Sequence, residues 1–172
     1  MSDRSIIELV ELPKVLVFPP RPRVKKHPSH QEFDLQLEAD DPGTFRLIVR
    51  GSGELFESFS LVLLYQRAGL RGTPLLRVNG DHGYHTNPDG TRIECVPHMH
   101  MHTYGELLSA PADGHPEHAI PLPATINTPA QAWPIFREAS HINDDPRMAK
   151  HLARVCGSYA VQLSLYEEDE EL

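Results

Sequence analysis

Phe33-Asp34-Leu35-Gln36-Leu37-Glu38, then Asp40-Asp41-Pro42-Gly43, then Thr44-Phe45-Arg46-Leu47-Ile48-Val49-Arg50 sets the architecture of this chain. In the first segment apolar and polar side chains alternate. An extended backbone sends successive side chains to opposite faces, so the segment reads as a strand with one face buried. Asp-Asp-Pro-Gly supplies turn chemistry, and Thr44 to Arg50 resumes as a second strand. Consecutive strands joined by a short turn pair antiparallel.

Towards the C-terminus the same logic continues. Phe59-Ser60-Leu61-Val62-Leu63-Leu64-Tyr65 is apolar on both faces, as a strand in the middle of a sheet is. Gly69 to Gly72 turns the chain into Leu75-Leu76-Arg77-Val78, and turn sequences follow at Asn79-Gly80 and Asn87-Pro88-Asp89-Gly90. Residues 105–123 carry no periodic pattern and read as a flap or loop. Thr128 caps a helix with Pro129 in its first turn and Trp133 and Phe136 on its apolar side, while Pro134 points to a later start. A second helix is expected from Asp144 or Asp145 to Gly157, and a last strand through Tyr159, Val161, Leu163 and Leu165.

Towards the N-terminus, Ser5 and Glu8 have capping-box spacing ahead of a short helix ended by Pro13. Lys14 to Phe18 reads as a brief strand, and Arg21-Pro22-Arg23-Val24-Lys25-Lys26 as a solvated, proline-rich connector. The expected fold is therefore α+β: one domain over 1–172 built on a curved antiparallel sheet of about six strands, with two C-terminal helices on one face. Residues 1–30 are expected to be an N-terminal extension and 166–172 an acidic tail.

The 172 residues hold 40% apolar and 23% charged side chains, a globular composition rather than a disordered one. Sixteen prolines and eleven glycines favour a sheet-rich chain with many turns. A net charge of −8 argues against duplex DNA as partner, because phosphates reward a basic surface. Cys95 and Cys156 have no metal-site or redox spacing. No run is apolar and long enough for a signal peptide or a membrane span, which makes the cytoplasm the expected location.

The chemistry concentrates in one region. His82, His85, His98, His100 and His102 lie close together in sequence, the last three within Pro97-His98-Met99-His100-Met101-His102-Thr103. In a strand these three share one face, while Met99 and Met101 share the other. Neighbours two apart stand about 6.5–7 Å from each other, near enough for two imidazoles to reach one ion, whereas His98 and His102 are about twice as far. A metal would use one adjacent pair with a ligand from elsewhere, His85, His82 and Glu106 being the nearest. Imidazole suits zinc, iron, nickel and manganese alike. Without a metal, two differently placed histidines can act as general acid and general base.

The alternating histidines resemble those of the histidine-triad nucleotide hydrolases and transferases, with Asn87 eleven residues before His98. That resemblance implies His100 as nucleophile with His98 and His102 on phosphate, although Thr103 stands where that family has an apolar residue. His100-x-His102-x3-Glu106 resembles the first metal motif of the cupins, without a second motif after it. A longer resemblance, over about residues 44–142, is to an uncharacterised family of small prokaryotic proteins. It rests on Arg77-Val78-Asn79-Gly80, His85-Thr86-Asn87 and His98-Met99-His100-Met101-His102-Thr103, in that order. It implies that His85, His98, His100 and Thr103 form the group that matters.

The functional expectation is a histidine-dependent phosphodiester hydrolase acting on RNA or a nucleotide. His98, His100 and His85 are its candidate acid–base groups or ligands to a divalent metal, and Thr103 and Arg77 its phosphate contacts. The alternative is a non-catalytic interaction module with a protein partner, such as half of a toxin–antitoxin pair or a defence-system component. The two separate on whether folding gathers the imidazoles.

Overall fold

The computed structural model describes residues 4–17, 23–26, 31–51, 59–81, 83–94, 96–102 and 117–143, together with 145, 148 and 152. Within them the chain runs α1 (Ile6–Glu11), β1 (Val15–Leu16), β2 (Arg23–Lys26), β3 (Gln31–Glu38), β4 (Thr44–Gly51), β5 (Phe59–Gln66) and β6 (Thr73–Asn79). It continues through β7 (His85–Thr86), β8 (Arg92–Ile93), β9 (His98–His102), β10 (Glu117–Pro121) and α2 (Pro129–Ala139).

The antiparallel sheet is ordered β1-β3-β4-β5-β6-β9-β10, with β2 also pairing with β3. It is thus wider than the sequence suggests. Two strands account for the difference. The segment expected to be a basic connector forms β2, opposite Glu32 and Asp34 of β3; its prolines precede the paired residues, where no ladder bond is lost. The end of the stretch expected to be irregular forms β10, whose Ala119 stands opposite His100.

Side-chain alternation gives the sheet two distinct faces. One row, Leu35–Leu47–Leu63–Leu76, crosses four strands in register and belongs to the core. Both helices lie on that side, α2 over β5 and β6 and α1 against β6. Ile6, Leu9 and Val10 of α1 and Ala132, Trp133 and Phe136 of α2 complete the core. Burial of such side chains stabilises by about 1.5–3 kcal/mol each before chain entropy is counted. The first helix has the expected capping box, since Glu8 N–H donates to Ser5 Oγ and Ser5 N–H to the Glu8 carboxylate. Thr128 caps α2 as expected, but Pro134 does not delay its start. As the sixth residue of the helix, Pro134 forgoes the bond its N–H would make to Ala130 O, and the helix carries on through it. The expected second helix lies mostly outside the described residues, and the expected last strand and acidic tail wholly so.

The opposite face carries a different row: Asp34–Ile48–Val62–Arg77–His100–Ala119, again in register. Leu75 is the extra residue of a bulge between β5 and β6, and after it the alternation places Leu76 and Val78 in the core and Arg77 beside His100. That second face is where the candidate chemistry lies.

Candidate functional site

Strand β9 sits between β6 and β10 and directs His98 and His100 to the face away from the helices. His100 is the register partner of Arg77 and His98 that of Asn79. Both rings are buried, His98 at 0% and His100 at 1% exposure.

His85 arrives from a separate small hairpin. Between β6 and β9 the chain leaves the main sheet and forms the two-stranded pair β7–β8, in which His85 faces Ile93. Its turn is closed by Asn87 N–H to Thr91 O at 2.8 Å and Gly90 N–H to Asn87 O at 2.9 Å. Gly90 has φ +86°, a value a glycine adopts without strain. Thr91 N–H also donates to Asp89, and this holds the Asp89 carboxyl below its usual range.

The hairpin is fastened to the sheet by the side chain of Asn87. Ala119 N–H donates to Asn87 Oδ1 at 2.7 Å, and Asn87 Nδ2 donates to Ala119 O at 3.0 Å. Asn87 is 4% exposed, so both bonds are sheltered from water. Because Ala119 is opposite His100 and Asn87 is two residues after His85, this one amide links the hairpin histidine to the strand histidines.

The result is a triangle of imidazoles. Ring centroids are 4.5 Å apart for His98–His100, 4.7 Å for His85–His100 and 5.9 Å for His85–His98. His98 Nδ1 lies 2.8 Å from Val96 O. A carbonyl only accepts, so this ring donates from Nδ1. Nε2 of His85 is buried and has no hydrogen-bond partner among the described residues. As the side chains stand, no three His, Cys, Asp or Glu among the described residues are arranged to hold a metal ion.

Further along this face two buried carboxylates are matched by arginines. Arg46 pairs with Asp34 through both Nε and Nη2, and Arg50 Nε lies 2.8 Å from Glu32. Next to the triangle, an open groove of about 410 Å³ is lined by Asn87, Asp89, Arg92, Glu94, Val96 and His118, among others. Arg92 also covers the exposed Tyr84 ring, 4.2 Å from its centroid.

Of the residues expected to form the site, His85, His98 and His100 meet, and Arg77 is adjacent by register. Thr103, His82 and Glu106 lie outside the described residues. For His102 only the backbone is described, paired with Glu117. Asn87 was visible as part of a turn, of the His85-Thr86-Asn87 triplet and of the histidine-triad resemblance. None of these contexts signals that its amide docks on a strand more than thirty residues away.

Among described residues no helix is long and apolar enough to cross a membrane. No curated protein and no solved structure matches the chain. The model of a family of unknown function, DUF6978, matches residues 1–142, and the chain belongs to that family. The match contains every strand and helix described above.

Proposed function

We propose that this member of a family of unknown function is a histidine-dependent phosphodiester hydrolase, with RNA or a nucleotide as substrate. The observation that carries the reading is the convergence of His85 with His98 and His100, from two separate elements, beside Arg77. Three titratable rings gathered in a largely buried place are costly to a fold unless they are used. Arg77 suits a phosphate, since guanidinium matches its oxygens in a planar, two-point geometry. His85, the partly exposed ring of the three, is where a phosphate would meet the cluster.

The reaction adds water across a P–O ester bond. The water oxygen bonds to phosphorus, the ester bond breaks, and the proton released by the water reaches the departing oxygen by way of the imidazole cluster. Nothing is oxidised or reduced. Thr103 remains the second candidate phosphate contact, and the cytoplasm the proposed location.

The burial of His98 and His100 also supports a second reading, in which the rings only organise the sheet of an interaction module. A cleavage screen separates the two. Purified protein is offered nucleotides, dinucleotides and single-stranded RNA, and His98→Ala and His100→Ala are assayed beside it. The hydrolase reading expects cleavage that falls at least about 100-fold in the variants. Wild-type protein that cleaves none of them, or variants as active as wild type, overturns it in favour of the interaction module.

A further inference from the structure

We infer that Asn87 is a positioning residue whose side-chain amide latches the β7–β8 hairpin to β10, and that the hairpin lifts and reseats as a unit to bring substrate against His98 and His100. The inference deepens the hydrolase reading. Only the use made of the motion rests on that reading; the latch does not.

The first argument is access. His98 is 0% and His100 1% exposed. An acid or base must come within hydrogen-bond reach of the group it serves, and a ring without exposed surface touches no substrate. The arrangement in which both rings act therefore differs from the closed one. His85 packs against each of them, with centroids 5.9 and 4.7 Å away, and is itself partly exposed. Moving the element that carries His85 uncovers the sides of His98 and His100 that it lies against.

The second argument is how lightly that element is attached. Strand β9 is held on both sides by ladders to β6 and β10. The β7–β8 hairpin stands outside that sheet with two residues per strand, and such a ribbon is not stable by itself. Among the described residues, its hydrogen bonds to the main sheet are the two between Asn87 and Ala119. Of residues 85–93 only Asn87 and Ile93 are buried. The open groove between β8 and β10 leaves the hairpin unpacked along that side. A segment with so little buried apolar surface opens locally at far lower cost than the sheet beneath it.

The third argument is that the seat is specific and the joint is free. Asn87 offers a donor and an acceptor to one residue, Ala119, which stands opposite His100. It thus fixes where the hairpin, and with it His85, comes to rest along β10. Just ahead of the hairpin Gly83 has φ +107°, and a Cβ there would meet nothing within 4 Å. A glycine in open space can turn through a wide range without a clash. Substrate enters with the hairpin lifted, and cleavage follows when it reseats and the three rings are together again. Asn87 acts through His85 and need not touch the substrate.

The experiment uses the full chain, as wild type and as Asn87→Ala, and follows amide hydrogen exchange and ring-to-ring Overhauser contacts by NMR. In the wild type the Ala119 N–H should exchange at least about 100-fold faster than the N–H groups of the buried mid-sheet residues Leu61 and Leu63, and without their denaturant dependence. The Overhauser contact between the His85 and His100 rings should be present in the wild type and lost in Asn87→Ala, while Leu61 and Leu63 stay protected and so report an intact sheet. With a cleaved phosphodiester, Asn87→Ala should lower kcat by about tenfold and leave KM nearly unchanged. Ala119 exchange that tracks Leu61 and Leu63 overturns the opening, a result the wild type gives even where the variant does not fold. An unchanged His85–His100 contact in Asn87→Ala, or an unchanged kcat once that contact is lost, overturns the positioning role. Exchange and ring contacts need no substrate, so a chain that opens in this way and cleaves nothing sinks the hydrolase reading alone.

Discussion

Lys14 drives its ammonium into the end of α2, where Nζ donates to Ser140 O at 2.9 Å. The same nitrogen donates to Val10 O at 2.8 Å and Leu12 O at 2.7 Å, and lies 5.2 Å from the centre of the Phe45 ring. One side chain thus gathers carbonyls from the end of α1, the following turn and the end of α2. The backbone repeats the connection: Lys14 N–H donates to His141 O, and Asn143 N–H donates to Lys14 O. Lys14 is fully buried with no carboxylate in that set of partners, and burial pushes its pKa down from 10.5 to about 8.

This makes stability depend on alkaline pH in a defined direction. Below about 8 both folded and unfolded chains hold the proton, and the full cost of burying the charge is present. Between about 8 and 10.5 the folded chain releases it while the unfolded chain keeps it, so stability from this group rises, by roughly 3 kcal/mol. Denaturant melts of wild type and Lys14→Met across pH 7–10 should show the slope in the wild type only. Parallel curves would refute the assignment.

Gly43 is held to glycine by Tyr65. A Cβ at position 43 would stand 2.3–2.5 Å from the tyrosine ring and hydroxyl, and Tyr65 cannot retreat freely because its hydroxyl donates to Asp41 Oδ1 at 2.5 Å. Asp41 in turn accepts from Gly43 N–H at 2.8 Å. Gly43→Ala should cost about 1–3 kcal/mol, and Gly43→Ala/Tyr65→Phe should recover part of it by freeing the ring. Additive losses in the double variant would be evidence against the clash.

Arg46 neutralises a buried carboxylate. Asp34 is 4% exposed and receives both Nε and Nη2 of Arg46. Arg46→Met leaves that charge buried without this partner and should destabilise the chain by about 2–4 kcal/mol. Pairing it with Asp34→Leu should return most of the loss. A single variant with an unchanged melting temperature would contradict the burial of Asp34.

Arg77 is proposed to touch phosphate, which separates charge from geometry in a kinetic test. Arg77→Lys keeps the charge but loses the fork, so KM for a phosphodiester should rise about tenfold with kcat less affected. Equal kinetics in Arg77→Lys and wild type would remove Arg77 from the substrate site.

Much of the sheet was legible in the sequence because burial on one face imposes period-two alternation: Phe33, Leu35 and Leu37 sit in the core as read. Phe59 to Tyr65 lies mid-sheet, as a strand apolar on both faces does. Strands β2 and β10 were not legible. Prolines and polar residues dominate their surroundings, and an outlying strand needs no apolar alternation to be paired. The pairing of β6 with β9 follows their order in the sequence reading; what was hidden is the β7–β8 hairpin between them, legible only as turn sequences. The meeting of His85 with His98 and His100 was anticipated from the motif of the resemblance, whereas spacing alone left His82 and Glu106 beside it as candidates. The docking by Asn87 was not anticipated, because a side-chain amide that binds a distant backbone leaves no local pattern. Lys14 gave no signal either: lysine is almost always solvated, and only the meeting of α1 with α2 makes its burial intelligible.

The amide of Asn87 does to β10 what a neighbouring strand would do. It occupies both outward main-chain groups of Ala119, and Pro121, two residues on, has no N–H to offer. At these positions the β10 edge is thereby shielded from pairing with other chains. Closeness of the three imidazoles and resistance to chain-on-chain association at this edge are consequently one property: a molecule whose hairpin has lifted away parts His85 from His98 and His100 and bares the main chain of Ala119.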